Sequence, residues 1–139
     1  SAEVSLLWAG EERLFALKGK QIEGLENDLN EGIGNICYKV FSRVDFKFRQ
    51  LRQTIYWGLI GGGLNATEAT KLVIQYVDGC PIDAKDDQAS TLKTASAILK
   101  AVYFGWEALP VLGEAQAGVA TRPNEPTSAS SEPPSSAQE

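Results

Sequence analysis

Apolar residues along this chain change their spacing once, near residue 18. Before that point Val4, Leu6 and Trp8 recur at every second position, the signature of a half-buried strand. Residues 9–12, Ala-Gly-Glu-Glu, supply a turn with a glycine free to take positive φ, and residues 13–17 predict a second short strand. An isolated hairpin is marginal in water, so this one is expected to lean on the rest of the domain. After residue 18 the spacing becomes three and four. Ile22, Leu25 and Leu29 predict a helix over residues 20–29 that stops at Asn30-Glu31-Gly32. Ile33, Ile36, Cys37 and Val40 predict a short second helix. Phe48, Leu51, Ile55 and Leu59, with Tyr56 and Trp57 alongside, predict a third over residues 45–60, with Asp45 as its cap. Gly61-Gly62-Gly63 ends it, because three successive glycines lose too much backbone entropy to continue a helix. Asn65-Ala66-Thr67-Glu68 reads as a capping box, with Asn65 as N-cap and Glu68 reaching back. Ala69, Leu72, Val73, Tyr76 and Val77 come next at core spacing until Gly79, and Pro81 stands beyond. Residues 83–87 form a charged loop. The last helix is predicted over residues 88–107, on a stripe of Leu92, Ala95, Leu99, Val102 and Trp106.

Composition then divides the chain. Residues 110–139 hold five of the six prolines, no aromatic residue, and four acidic side chains against one basic. Such a segment buries too little apolar surface to offset its ordering entropy, and disorder is expected for it. The expected organisation is a domain over residues 1–109 and an acidic Pro/Ser/Ala-rich tail over 110–139. The fold class is α+β and mainly helical, an N-terminal β-hairpin packed on four or five helices. Net charge is -5, from 13 basic and 18 acidic residues, which disfavours a general polyanion binder. No stretch approaches the roughly 20 apolar residues of a membrane span, and no basic-then-apolar leader opens the sequence. The cytoplasm is therefore the expected location.

The chain contains no histidine, which removes the commonest general acid–base and the commonest metal ligand at neutral pH. Cys37 and Cys80 lack CxxC spacing and make a poor zinc site; two buried thiols are the expectation, a disulfide the alternative. The three glycines do not form a phosphate loop, because Leu64-Asn65-Ala66 stands where a Lys-Ser/Thr is needed. Paired carboxylates at Glu11-Glu12, Glu23-Glu26 and Asp86-Asp87 lie in polar surroundings that raise no pKa for catalysis. Residues 39–52 carry five basic side chains, Lys39, Arg43, Lys47, Arg49 and Arg52, against Asp45 alone, with Tyr38, Phe41, Phe46 and Phe48 interleaved. Nucleic-acid contact is one reading of that mixture. The other has the aromatics packed inward and the basic residues wet. No cofactor and no catalytic residue are expected. Surplus apolar helix surface points instead to protein binding, with Phe48, Tyr56, Trp57, Tyr103 and Trp106 as the candidate contact residues.

A dispersed pattern supports that direction. It comprises Glu3-Val4-Ser5-Leu6 with Gly10 and Leu14, Ile22-Glu23-Gly24-Leu25-Glu26, and Tyr56-Trp57-Gly58-Leu59-Ile60-Gly61-Gly62-Gly63. The helix Glu68-Ala69-Thr70-Lys71-Leu72-Val73, Tyr76-Val77 and the alanine-rich stretch from Ala95 to Gly105 complete it. Over residues 3–108 the chain resembles the tail-assembly-chaperone family of gene transfer agents and tailed phages, whose members are also described as tail tube proteins. The resemblance implies a non-enzymatic factor of tail morphogenesis, encoded by a phage or prophage and acting in the cytoplasm of a bacterial host. Its implied partners are tail proteins such as the tape measure and tail tube proteins, with homo-oligomers allowed and neither nucleic acid nor membrane expected. A structural component retained in the particle is the alternative role, which would make the chain virion-associated. A nucleic-acid-binding module is the third.

Overall fold

The computed structural model describes residues 1–105; the expected domain boundary at 109/110, the tail for which disorder is expected, and Trp106 lie outside them. Two strands, β1 (Glu3–Trp8) and β2 (Glu11–Ala16), pair antiparallel with Trp8 opposite Glu11 and Val4 opposite Phe15. The turn is therefore two residues long, not four: Glu11 and Glu12 belong to β2, facing Trp8 and Leu7. Ala9 and Gly10 both take positive φ, 54° and 83°. That geometry matches the right-handed twist of the strands, and it asks an alanine to adopt a conformation that asparagine or glycine tolerates better. The inward face is as the alternation predicts. Val4, Trp8 and Phe15 are buried, and Leu6 is partly so.

Five helices follow among the described residues: α1 (Gly19–Leu29), α2 (Ile33–Ser42), α3 (Phe48–Gly61), α4 (Ala66–Tyr76) and α5 (Thr91–Phe104). Asn30 and Arg43 end α1 and α2 in the left-handed region. The third helix begins three residues later than Asp45 suggests. Asp45 lies in the bend that lets Phe46 reach the core, and the entry to α3 is made by the Gln50 side chain, which accepts from the Lys47 N–H at 2.7 Å. Asn65 does cap α4, accepting from the Glu68 N–H at 2.9 Å. The fifth helix starts at Thr91, after a single 3₁₀ turn at Asp87–Ala89, with Ser90 as the cap accepting from the Lys93 N–H. It stops at Phe104, short of residue 107, because Gly105 has φ 92° and turns the chain out of helical geometry.

The central element is α3, which packs on β2, α1, α4 and α5. Its apolar side chains Leu51, Ile55 and Leu59 are buried with Leu25, Ile36, Val40, Val73, Ile98 and Leu99. The glycines at its end have a role beyond stopping the helix. A Cβ on Gly61 would lie 1.8 Å from the Ala16 carbonyl oxygen, and one on Gly62 would lie 1.9 Å from that of Leu14. Gly61 still belongs to α3 and Gly62 is its C-cap, so the last turn of the helix lies directly on the edge of β2. Gly63 alone needs its positive φ, 112°, to start the connection to α4. Closer to the middle of α3, Gly58 admits Phe15 and Ile98.

Candidate protein-binding surface

Two polar junctions tie the helices together, and the side-chain amides at both have acceptors. Gln50 is 1% exposed, and its amide donates to Glu31 at 2.5 Å. Glu31 also accepts from Asn35 at 2.7 Å and Lys39 at 2.8 Å, so one carboxylate links the α1–α2 connection, α2 and α3. The Lys39 hydrogen bond, helped by Gln50 and Asn35, outweighs desolvation and holds the Glu31 carboxyl below its ordinary value. At the second junction Asp28 accepts from Trp57 Nε1 at 2.8 Å and from Gln53 at 2.7 Å. The Trp57 ring lies over Gly24, where an added Cβ would sit 2.6 Å from the ring.

The basic residues of segment 39–52 are largely committed to such contacts. Lys39 pairs with Glu31, Arg43 with Asp83 at 2.7 Å, and Arg52 with Asp78 at 2.9 Å, while Arg49 reaches the Asp28 carbonyl at 3.3 Å. Three of the five cations are thus neutralised within the fold, which leaves little field to steer a phosphate backbone. The aromatics divide. Phe41 and Phe46 pack against the core, but Tyr38 is 72% exposed and Phe48 also faces outward, against the inward packing expected of all four.

The candidate contact residues fall in different places. Tyr56 and Trp57 meet edge to face at 5.3 Å and are partly buried against the core. Phe48 stands at the first turn of α3, exposed. Tyr103 is 59% exposed in the last turn of α5. It belongs to a cluster that the helical periodicity does not reveal: Phe104, 57% exposed, meets Tyr103 at 5.0 Å and stacks on Phe41 of α2 at 6.1 Å, and Phe41 meets Tyr103 edge to face at 6.4 Å. Lys100 extends over the Phe41 ring, 6.0 Å from its centre. The signal for Phe104 was its position: two adjacent aromatics immediately before a glycine overrun the buried stripe, so one or both must face solvent.

Cys37 is buried, and desolvation pushes its thiol up to about 11; Cys80 is partly exposed, and both are free. Among the described residues no group of three or more His, Cys, Asp or Glu side chains is placed to hold a metal ion, and no helix is long and apolar enough to cross a membrane. What the described residues present is a small α+β domain whose helices are tied by paired polar side chains and which gathers one exposed aromatic cluster at the ends of α2 and α5. The family model described as phage tail tube protein, GTA-gp10, matches residues 1–105, and the chain belongs to that family of phage and gene-transfer-agent tail proteins. No curated protein and no solved structure matches it.

Proposed function

We propose that this chain is a non-enzymatic tail-assembly chaperone, which binds other tail proteins, the tape measure protein among them, while the tail is built in the bacterial cytoplasm. The observation that carries this reading is the Phe41–Tyr103–Phe104 cluster. Three aromatic rings contact one another at the end of two helices, with two of them more than half exposed. Rigid aromatic area of this kind is what protein-binding hot spots are made of, because few rotamers are lost when it is covered. An apolar helical segment of a long, aggregation-prone partner is a suitable occupant. Of the five candidate contacts, Tyr103 and Phe48 have the freedom to take part directly. Tyr56 and Trp57 contribute through their partly exposed edges.

A second reading, a structural component retained in the finished particle, is favoured by the family's own description as a tail tube protein. Two measurements separate the readings. Co-expression with the neighbouring tape measure protein is expected to raise that protein's soluble yield, and the double variant Tyr103→Ser, Phe104→Ser is expected to abolish the gain; an unchanged yield with the wild-type chain removes the chaperone reading. Presence of the chain at fixed stoichiometry in purified particles establishes the structural one.

A further inference from the structure

The hairpin has two edges, and among the described residues only that of β2 lies against a helix end. A two-residue turn with positive φ at both positions makes the flanking pair, Trp8 and Glu11, one that exchanges both backbone hydrogen bonds. By alternation Leu6–Arg13 and Val4–Phe15 are bonded in the same way. The backbone groups of Ser5 and Leu7 on β1, and of Glu12, Leu14 and Ala16 on β2, therefore point away from the partner strand. The contact with α3 confirms this parity, since the carbonyls that meet Gly62 and Gly61 are those of Leu14 and Ala16. The outer edge of β2 is sealed by that helix. On β1, the N–H and C=O of Ser5 and Leu7 have no hydrogen-bond partner among the described residues, Ser5 is exposed, and the Leu7 side chain is 50% exposed.

Soluble proteins ordinarily guard such an edge with a lysine, a proline, a bulge or a covering element. Strand β1 has no lysine, proline or bulge, and although α5 and the 3₁₀ turn pack near it, no described residue hydrogen-bonds to its outer edge: its pairing is unbroken from Glu3 to Trp8, and its single charge, Glu3, is at the far end and paired with Lys18. We infer that this edge pairs with β1 of a second copy of the chain, forming one continuous antiparallel sheet in the order β2–β1–β1–β2. The edge is complementary to itself. A two-fold axis through Leu6 sets Ser5 opposite Leu7 of the second copy and Leu7 opposite its Ser5, and each pair can exchange both backbone hydrogen bonds. The same register sets Glu3 opposite Ala9, so no like charges face one another, whereas a slip that aligned the two Glu3 side chains would be repelled. Leu7 and Leu14, neighbours on the outward face and both exposed, gain apolar company. With the β2 edge closed in each copy, assembly stops at two.

This inference holds for either tail role, and its readout is separate from tape-measure solubility. The full chain is examined over a dilution series by sedimentation, with amide exchange of Ser5 and Leu7 followed in parallel by NMR. The expected result is a reversible dimer in which these two amides are protected, and protection that disappears on dilution. Leu7→Lys, a change at an exposed side chain, is expected to weaken dimerisation about tenfold or more without altering the monomer's circular dichroism. Leu7→Thr retains strand propensity and is expected to weaken it less. A chain that is monomeric throughout overturns the inference, as does protection of Ser5 and Leu7 that is independent of concentration, which would mean that the chain covers its own edge. A dimer that survives Leu7→Lys with both amides exchanging freely overturns it too, and would direct attention to the aromatic cluster.

Discussion

The two ends of the helical layer treat their neighbours in opposite ways. At the end of α3, Gly61 and Gly62 remove every side-chain atom so that helix and strand backbones meet directly. At the end of α5, Tyr103 and Phe104 add as much side chain as two residues can carry and leave it uncovered. The first arrangement tolerates nothing larger than hydrogen and is a matter of stability. The second costs the isolated domain little if removed, because exposed rings contribute small amounts to folding. Stability and recognition thus lie on different helix ends, and substitutions can separate them.

The largest expected effect is at the glycine seam. Gly61→Ala drives a methyl group into the Ala16 carbonyl, a backbone atom that cannot move alone, and is expected to cost at least about 3 kcal/mol by denaturant unfolding. A cost under about 1 kcal/mol would show that helix and strand can separate there without penalty. Next is Glu31→Ala, which leaves the buried Gln50 amide without its acceptor and is expected to cost about 2 kcal/mol. This site has a pH signature as well. The Glu31 carboxyl sits below its ordinary value of 4.5, so its stabilising contribution is fully present above that pH and is lost as pH falls through the lower folded-state value. The Ala variant is therefore expected to show a flatter acid limb in thermal melts between about pH 5 and pH 2. Ala9→Asn is expected to stabilise by about 1 kcal/mol, since asparagine accepts the left-handed conformation that Ala9 is held in. The smallest folding effect is expected from Tyr103→Ser with Phe104→Ser, within about 0.5 kcal/mol by denaturant unfolding. A larger loss would mean that the cluster is structural, and would erase the contrast between the two ends.

Much of this fold can be read from residue spacing. The hairpin's inward face, the helices, the Asn65 cap and the Leu92, Ala95 and Leu99 part of the α5 stripe are all local patterns, and the structure contains them. What escapes such reading depends on partners distant in sequence. The glycine run looks like punctuation until β2 is placed against it. Gln50 looks like an exposed polar residue, yet it is buried because Glu31, 19 positions earlier, accepts its hydrogen bond. Asp45 is a good capping residue, but the chain bends there, Phe46 packs against the core, and Lys47 takes the extended position before α3. The candidate surface was half legible. The surplus of aromatics on helices is visible in the sequence, but only the fold brings Phe41 to Tyr103 and Phe104, and it separates Trp57, fixed over Gly24, from that group.

The sharp exit at Gly105 has a further effect. A Cβ at Gly105 would lie 3.9 Å from the backbone nitrogen of Ser1, so the first and last described residues are neighbours. Chain that precedes the hairpin and chain that continues past α5 would depart from a single point on the body. Cargo or labels attached at either position would share one side of the domain.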